Sequence, residues 1–155
     1  MQVFRICKRI YATDPFSGEG SRFVSGRWHQ AGQRVAYTAA TLSLAAWELW
    51  VHLPKNRQRS TYVYASAFIP DDLRIEEIRE DQLSEGWREF APYPGELRLL
   101  GSSWLLKCRS AVLRVPSAVV PGEFNYLLNP LHEDFAIIER GDAKPFVFDP
   151  RVLSI

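Results

Sequence analysis

GRWHQAGQRVAYTAATLSLAAWELW, residues 26–50, carries one acidic side chain, Glu48, set between Trp47 and Leu49 in an otherwise apolar run. Two short β-prone pieces flank a Gly-containing turn at 31–34, and Thr41 then offers an oxygen to cap a helix. The spacing predicts a helix over 42–53, stopped by Pro54. On that helix Glu48 shares a face with Leu44, Ala45, Val51 and His52, while Ala46, Trp47, Leu49, Trp50 and Leu53 take the other side. With no polar stripe, the helix is expected to be buried on most sides. An ionised carboxylate there is costly unless it is paired, hydrogen-bonded or open to a cavity. Two readings follow: a structural Glu satisfied by an Arg or by backbone donors, or a catalytic acid in a cleft.

Outward from this stretch, strands are expected at 3–7 (VFRIC), 61–70, within 73–78, at 110–117 (SAVLRVPS), 135–139 (FAIIE) and 145–150 (PFVFDP). Residues 13–22 read as a loop, 55–60 as a polar connection, 81–90 as weakly helical and 91–96 as a loop. SSWLLKCR (102–109) reads as a short serine-capped helix, and GEFNYLLNPLHED (122–134) as an irregular connector. Clustered strands with few helices predict one α+β domain over residues 1–155, not a doubly wound parallel sheet.

Composition narrows the function. The chain has 155 residues, 46% of them hydrophobic and 24% charged, which suits a single globular domain. Nineteen Lys and Arg against eighteen Asp and Glu leave a formal charge of +1, so no global field draws it to nucleic acid or anionic membrane. The basic runs RICKR and KNRQR are too short to specify nucleic acid. Cys7 and Cys108 stand far apart, and no secretion signal or membrane-spanning run is read, so a reduced, cytoplasmic protein is expected. His29, His52 and His132 lack metal-ligand spacing, and no metal site is expected. There is no GxSxG elbow, Walker loop or Rossmann GxGxxG.

Taken whole, SGRWHQAGQRVAYTAATLSLAAWELWVH (25–52) resembles the start of the RES domain of RES–Xre toxin–antitoxin pairs. LRVPSAVVPGEFNYLLNPLHEDF (113–135) resembles that family's second signature, with Val-Pro-Ser, Asn-Tyr and Asn-Pro-x-His steps in order. The resemblance implies an ADP-ribosyltransferase-like fold with a split β core and an NAD-binding cleft. It assigns the family's arginine to Arg27, its tyrosine to Tyr37, its glutamate to Glu48 and its serine to Ser117.

Those residue types suit NAD cleavage. Breaking the nicotinamide–ribose bond builds positive charge on the sugar, which a carboxylate such as Glu48 stabilises. Arg27 suits the pyrophosphate or the ribose, and Tyr37 a stack on nicotinamide. Ser117 is expected to donate to a phosphate or ribose, or else to close a turn. Asn125, Tyr126 and Asn129 are expected at the cleft rim without chemistry.

The first expectation is thus a growth-arresting toxin that consumes NAD by hydrolysis or phosphorolysis. Transfer of ADP-ribose to a protein through the same cleft is the alternative, and an inert binding module with Glu48 paired to Arg27 is the third. The resemblance implies an Xre-type helix-turn-helix antitoxin that occludes the cleft and itself carries any DNA recognition. YLLNPL (126–131) is a candidate docking surface, with core burial the more ordinary use of its leucines. The sequence leaves open whether the chain also forms a homodimer.

Overall fold

A computed structural model of the chain describes residues 1–53, 61–89 and 94–152. Eight strands form one mixed sheet: β1 (Gln2–Lys8), β2 (Ala36–Ala39), β3 (Tyr62–Phe68), β4 (Ile75–Glu77), β5 (Val112–Pro116), β6 (Phe124–Leu128), β7 (Glu139–Arg140) and β8 (Lys144–Phe146). Their order is β4-β5-β6-β2-β1-β3-β7, with β8 also on β3. Only β4 and β5 run parallel; the other pairs are antiparallel. Two helices, α1 (Leu42–Trp50) and α2 (Gly95–Lys107), complete the regular structure. The expected α+β class is what the chain adopts.

Alternation along the strands divides the core between the two faces of the sheet. Val3, Ala36, Ala65, Ala67, Val112, Tyr126 and Leu128 pack with Phe16 and Ile138 on one face. On the other, Leu113, Val115 and Leu127 meet Leu97 and Trp104 of α2 together with Trp28. Beside that cluster, Leu44 and Ala45 of α1 pack on Ala39, Phe4 and Ile6. The sheet is narrowest at its middle. β1 pairs with β3 at seven positions from Gln2 to Lys8 but meets β2 at one, Phe4 opposite Ala39.

Several expectations need correction. α1 ends at Trp50, before 51–53, and is not buried on most sides: Leu44 and Ala45 are its buried residues, and Trp47 is 53% exposed. The Thr41 cap is present, its hydroxyl accepting from the Leu44 amide at 3.0 Å. The second helix begins at Gly95, not at a serine near 102, because its buried face is Leu97, Gly101 and Trp104, spaced four and three apart. Ser102 sits mid-helix and donates to Gln33 Oε1 at 2.8 Å. A Cβ on Gly101 would lie 1.9 Å from the Trp28 carbonyl oxygen, so the glycine that lowers helix propensity is what admits the neighbouring chain.

The presumed connector 122–134 contains β6, which lies between β5 and β2 in the sheet. Its Tyr126, Leu127 and Leu128 are buried on both faces, so strict alternation is missing from the sequence and the flanking Gly, Asn and Pro dominate the reading. That burial also removes most of YLLNPL as a docking surface; Leu131, at 67%, is exposed. FAIIE is mostly a 3-10 helix, Glu133–Ile137, begun where the His132 ring accepts from the Asp134 amide, and β7 keeps only its last residue and the next. Of PFVFDP, Pro145 and Phe146 lie in β8, while Val147 is 83% exposed. Of the two β-prone pieces, the second becomes β2 and the first is irregular. The loop at 13–22 ends in a 3-10 helix, Glu19–Arg22. The expected helix at 81–90 reduces to the 3-10 turn Glu80–Gln82, with 83–89 irregular, and the expected loop at 91–96 gives its last two residues to α2. The polar connection 55–60, with the KNRQR run, lies outside the described residues. Among the described residues, no helix is long and apolar enough to cross a membrane.

Candidate active site

The narrow junction of β1 and β2, with α1 laid across it, opens a cavity of about 440 Å³. That size lies within the usual range for small-molecule sites. One stripe of α1, Ala45, Glu48 and Leu49, lines one side with His52 just beyond the helix, and Arg5, Arg27 and Tyr37 are also at the wall. Glu48, Arg27 and Tyr37 therefore line one hollow.

Glu48 is half-buried and its Oε1 accepts two hydrogen bonds. The Ser117 hydroxyl donates at 2.8 Å and the Asn125 amide at 2.6 Å. Ser117, just beyond β5, is fully buried, and its oxygen also accepts from the amides of Val119 and Val120. This turn fixes the hydroxyl, which then fixes the carboxylate. Ser117 stands behind the wall, while its neighbours Pro116 and Ala118 line the cavity. Asn125, assigned no chemistry from the sequence, lines the cavity and holds the carboxylate directly. Among the described residues, the hydrogen bonds to Glu48 come from two neutral donors, Ser117 and Asn125. Tyr126 and Asn129 are buried in the core instead of standing at the rim.

Arg27 donates to the carbonyls of Trp87 and Glu89, in the segment before α2. Arg88 of the same segment donates to the Ser117 carbonyl at 2.9 Å and pairs with Glu80. Residues 87–89 are therefore tied to both signature blocks.

Arg5 is the site residue that sequence reading missed. From β1 its Nη1 donates to the Tyr37 carbonyl at 3.0 Å, beside the point where the β1–β2 ladder stops. Its Nε is a buried donor without a partner. Burial lowers the affinity of this guanidinium for its proton, with Cys7 and Tyr37 acting in the opposite sense. A buried cation with backbone and thiol neighbours, in a cleft wall, is expensive as structure and useful toward an anion. The available signal was a lone Arg in the apolar strand pattern VFRIC.

Tyr37 sits edge-on to His29, ring centroids 5.5 Å apart, with its hydroxyl 2.8 Å from His29 Nδ1. A Cβ at Gly26 would fall 2.8 Å from that hydroxyl and 2.7 Å from His29 Cε1, so only glycine lets the chain pass. At the rim, desolvation lowers the His52 imidazole below its ordinary range; Glu48 opposes this and Arg27 adds to it. Among the described residues, no group of three or more His, Cys, Asp and Glu is placed to hold a metal ion.

The chain is 35% identical over 136 residues to a protein named Toxin Res from Photorhabdus laumondii, covering 87% of this chain and 85% of that one. It is 32% identical over 148 residues to a Prs ADP-ribosylating toxin from a Sphingobium strain, covering 94% and 91%. A Toxin Res from Yersinia enterocolitica is 33% identical over 153 residues, covering 98% and 99%. In fold, the chain is similar to one in the crystal structure of the M. tuberculosis MbcT-MbcA toxin-antitoxin complex, with a TM-score of 0.72 at 15% identity over 94% of this chain and 84% of that one. The family model of the RES domain matches residues 2–149, and the chain belongs to the RES domain family.

Proposed function

We propose that this chain is the toxin of a toxin–antitoxin pair and that it consumes NAD by breaking the bond between nicotinamide and ribose. The observation that carries this reading is the Glu48 carboxylate in the cavity wall, its Oε1 held by Ser117 and Asn125. Both hydrogen bonds from the described residues go to one oxygen, which leaves Oε2 for the ligand. As nicotinamide departs, positive charge grows on the ribose, and a carboxylate already oriented needs no reorganisation to meet it. One such preorganised group lowers the barrier by roughly 3–4 kcal/mol. Ser117 acts by aiming Glu48 rather than by touching the substrate.

Arg5 and Arg27 supply the positive side of the same cavity. Arg5, at the cavity wall, suits a pyrophosphate oxygen; Arg27 holds the 87–89 segment and adds its field to the same cavity. Tyr37 stacks on nicotinamide.

The acceptor of ADP-ribose is water or inorganic phosphate in the first reading. A second reading, transfer to a protein, is favoured by the 32% identity to a relative named an ADP-ribosylating toxin. The partner is an antitoxin of the Xre helix-turn-helix type, which carries the DNA contacts and covers the cavity, one of whose lining residues, Val24, is exposed beside exposed Phe23. The chain then acts in the cytoplasm, where its partner and NAD meet. Incubation of the pure chain with NAD in phosphate buffer, followed by mass spectrometry, separates the cases. Free nicotinamide with ADP-ribose or its 1″-phosphate supports NAD consumption, and a target protein gaining one ADP-ribosyl mass supports transfer. Intact NAD with every candidate acceptor present overturns both.

A further inference from the structure

The Tyr37 hydroxyl is held from two sides. His29 Nε2 lies 2.9 Å from the Ser21 carbonyl and 3.0 Å from the Val24 carbonyl. Carbonyls only accept, so Nε2 carries the ring hydrogen. In the neutral ring Nδ1 is then the acceptor, and the hydroxyl 2.8 Å away donates to it. The Trp28 amide donates to the same hydroxyl oxygen at 3.3 Å. His29 itself is only 3% exposed.

The geometry points to His29 as a positioning residue: it takes the Tyr37 hydroxyl hydrogen, so that Tyr37 offers the cavity its ring and not a proton, and the group received there is a flat, electron-poor ring. This rests on the proposed function and narrows it. A tyrosine serving as general acid must aim its hydrogen at the leaving group. Here that hydrogen goes to a buried imidazole. The face of a tyrosine ring, negative at its centre, attracts a pyridinium cation, which is the form nicotinamide has in oxidised NAD. The leaving group is thus bound by stacking and departs without protonation, consistent with a cationic ring becoming neutral as the bond breaks.

The surroundings keep His29 in its accepting form. Besides Tyr37 from β2 and the two carbonyls of the 21–24 segment, the charged group that bears on it is Arg98 of α2, whose Nε donates to the Gly26 carbonyl at 3.3 Å. Burial and Arg98 both disfavour the imidazolium, outweighing the two carbonyls.

The test combines histidine nitrogen NMR with steady-state kinetics on NAD, using the full chain. Near pH 7, His29 is expected as the neutral Nε2–H tautomer, with an Nδ1 resonance that moves in Tyr37→Phe. His29→Leu should raise KM for NAD roughly tenfold, as loss of one ordering hydrogen bond implies, with a much smaller change in kcat. His29→Asn, which restores an acceptor near the Nδ1 position, should recover most of that loss. The double variant His29→Leu/Tyr37→Phe should be no worse than either single one. An Nδ1–H tautomer, an unchanged KM in folded His29→Leu, or a collapse of kcat in Tyr37→Phe overturns the assignment. If His29→Leu fails to fold, the tautomer, His29→Asn and Tyr37→Phe still decide. A parent chain that leaves NAD intact overturns the function and the ring assignment together, whereas a wrong tautomer overturns the positioning role alone.

Discussion

Ser117 and Glu48, 69 positions apart in the chain, meet through a 2.8 Å hydrogen bond from the Ser117 hydroxyl to Glu48 Oε1. The serine belongs to a turn that follows one edge of the β5–β6 pair, the glutamate to the helix that follows β2, and the contact closes the cavity wall between them. Asn125 on β6 reaches the same oxygen. The two signature blocks of the sequence are thus joined at one atom.

From this relationship, Ser117→Ala should lower kcat by about tenfold and leave KM for NAD little changed, because it loosens the carboxylate without touching the substrate. Adding Asn125→Ala should cost further activity non-additively, since both donors serve one oxygen. The assay is initial-rate NAD consumption below the melting temperature of each variant. A Ser117→Ala effect confined to KM would assign the hydroxyl to ligand contact instead.

Arg5 is expected to trade stability for binding. Replacing this buried guanidinium by Met removes a desolvated cation, so the melting temperature should stay level or rise. KM for NAD should rise by about tenfold or more, as for loss of a charge-assisted hydrogen bond. Thermal melts and a substrate titration check both halves, and an unaltered KM would make Arg5 a structural bridge to Tyr37.

Gly101→Ala should destabilise the fold by about 3 kcal/mol, the upper end for overpacking, because the added methyl meets the Trp28 carbonyl at 1.9 Å. Trp28 follows Arg27, so activity measured on the folded fraction should fall too. Denaturant unfolding gives the first quantity; wild-type stability would mean that α2 shifts freely.

Stability should also fall on the acid side of neutrality. Burial, opposed by the Ser21 and Val24 carbonyls and reinforced by Arg98, holds His29 below its ordinary value of 6.5. The unfolded chain therefore takes up a proton near pH 6.5 that the folded chain resists, so this stabilisation is present above 6.5 and lost as pH falls through the folded value. Melting temperature should drop as pH falls below 6.5, and His29→Asn should flatten part of that slope. A flat profile in the parent chain would contradict it.

Much of this was legible in the residues. The Thr41 cap, α1, β1 and β3 follow from local chemistry, and Glu48 stands out because an apolar context makes its charge costly, whereas Arg27 and Tyr37 were picked out by the resemblance to the RES signature alone. β6 was hidden because burial on both faces erases alternation while Asn129, Pro130 and Gly122 advertise turns. The start of α2 was hidden because Gly101 looks like a breaker until Trp28 is seen against it. Asn125 and Arg5 draw their meaning from partners far along the chain, Glu48 and Tyr37, which local pattern does not supply.

The central claim is that Glu48 stabilises the cation formed as NAD loses nicotinamide, and Glu48→Gln tests it most directly. The variant keeps the shape of the side chain and removes its charge. Nicotinamide release by the parent chain and by the variant should be compared at saturating NAD, with melting temperatures confirming that both are folded. A fall in kcat of roughly 10²–10³-fold is predicted, the scale of one preorganised electrostatic group. A folded Glu48→Gln that releases nicotinamide at the parental rate would contradict the account.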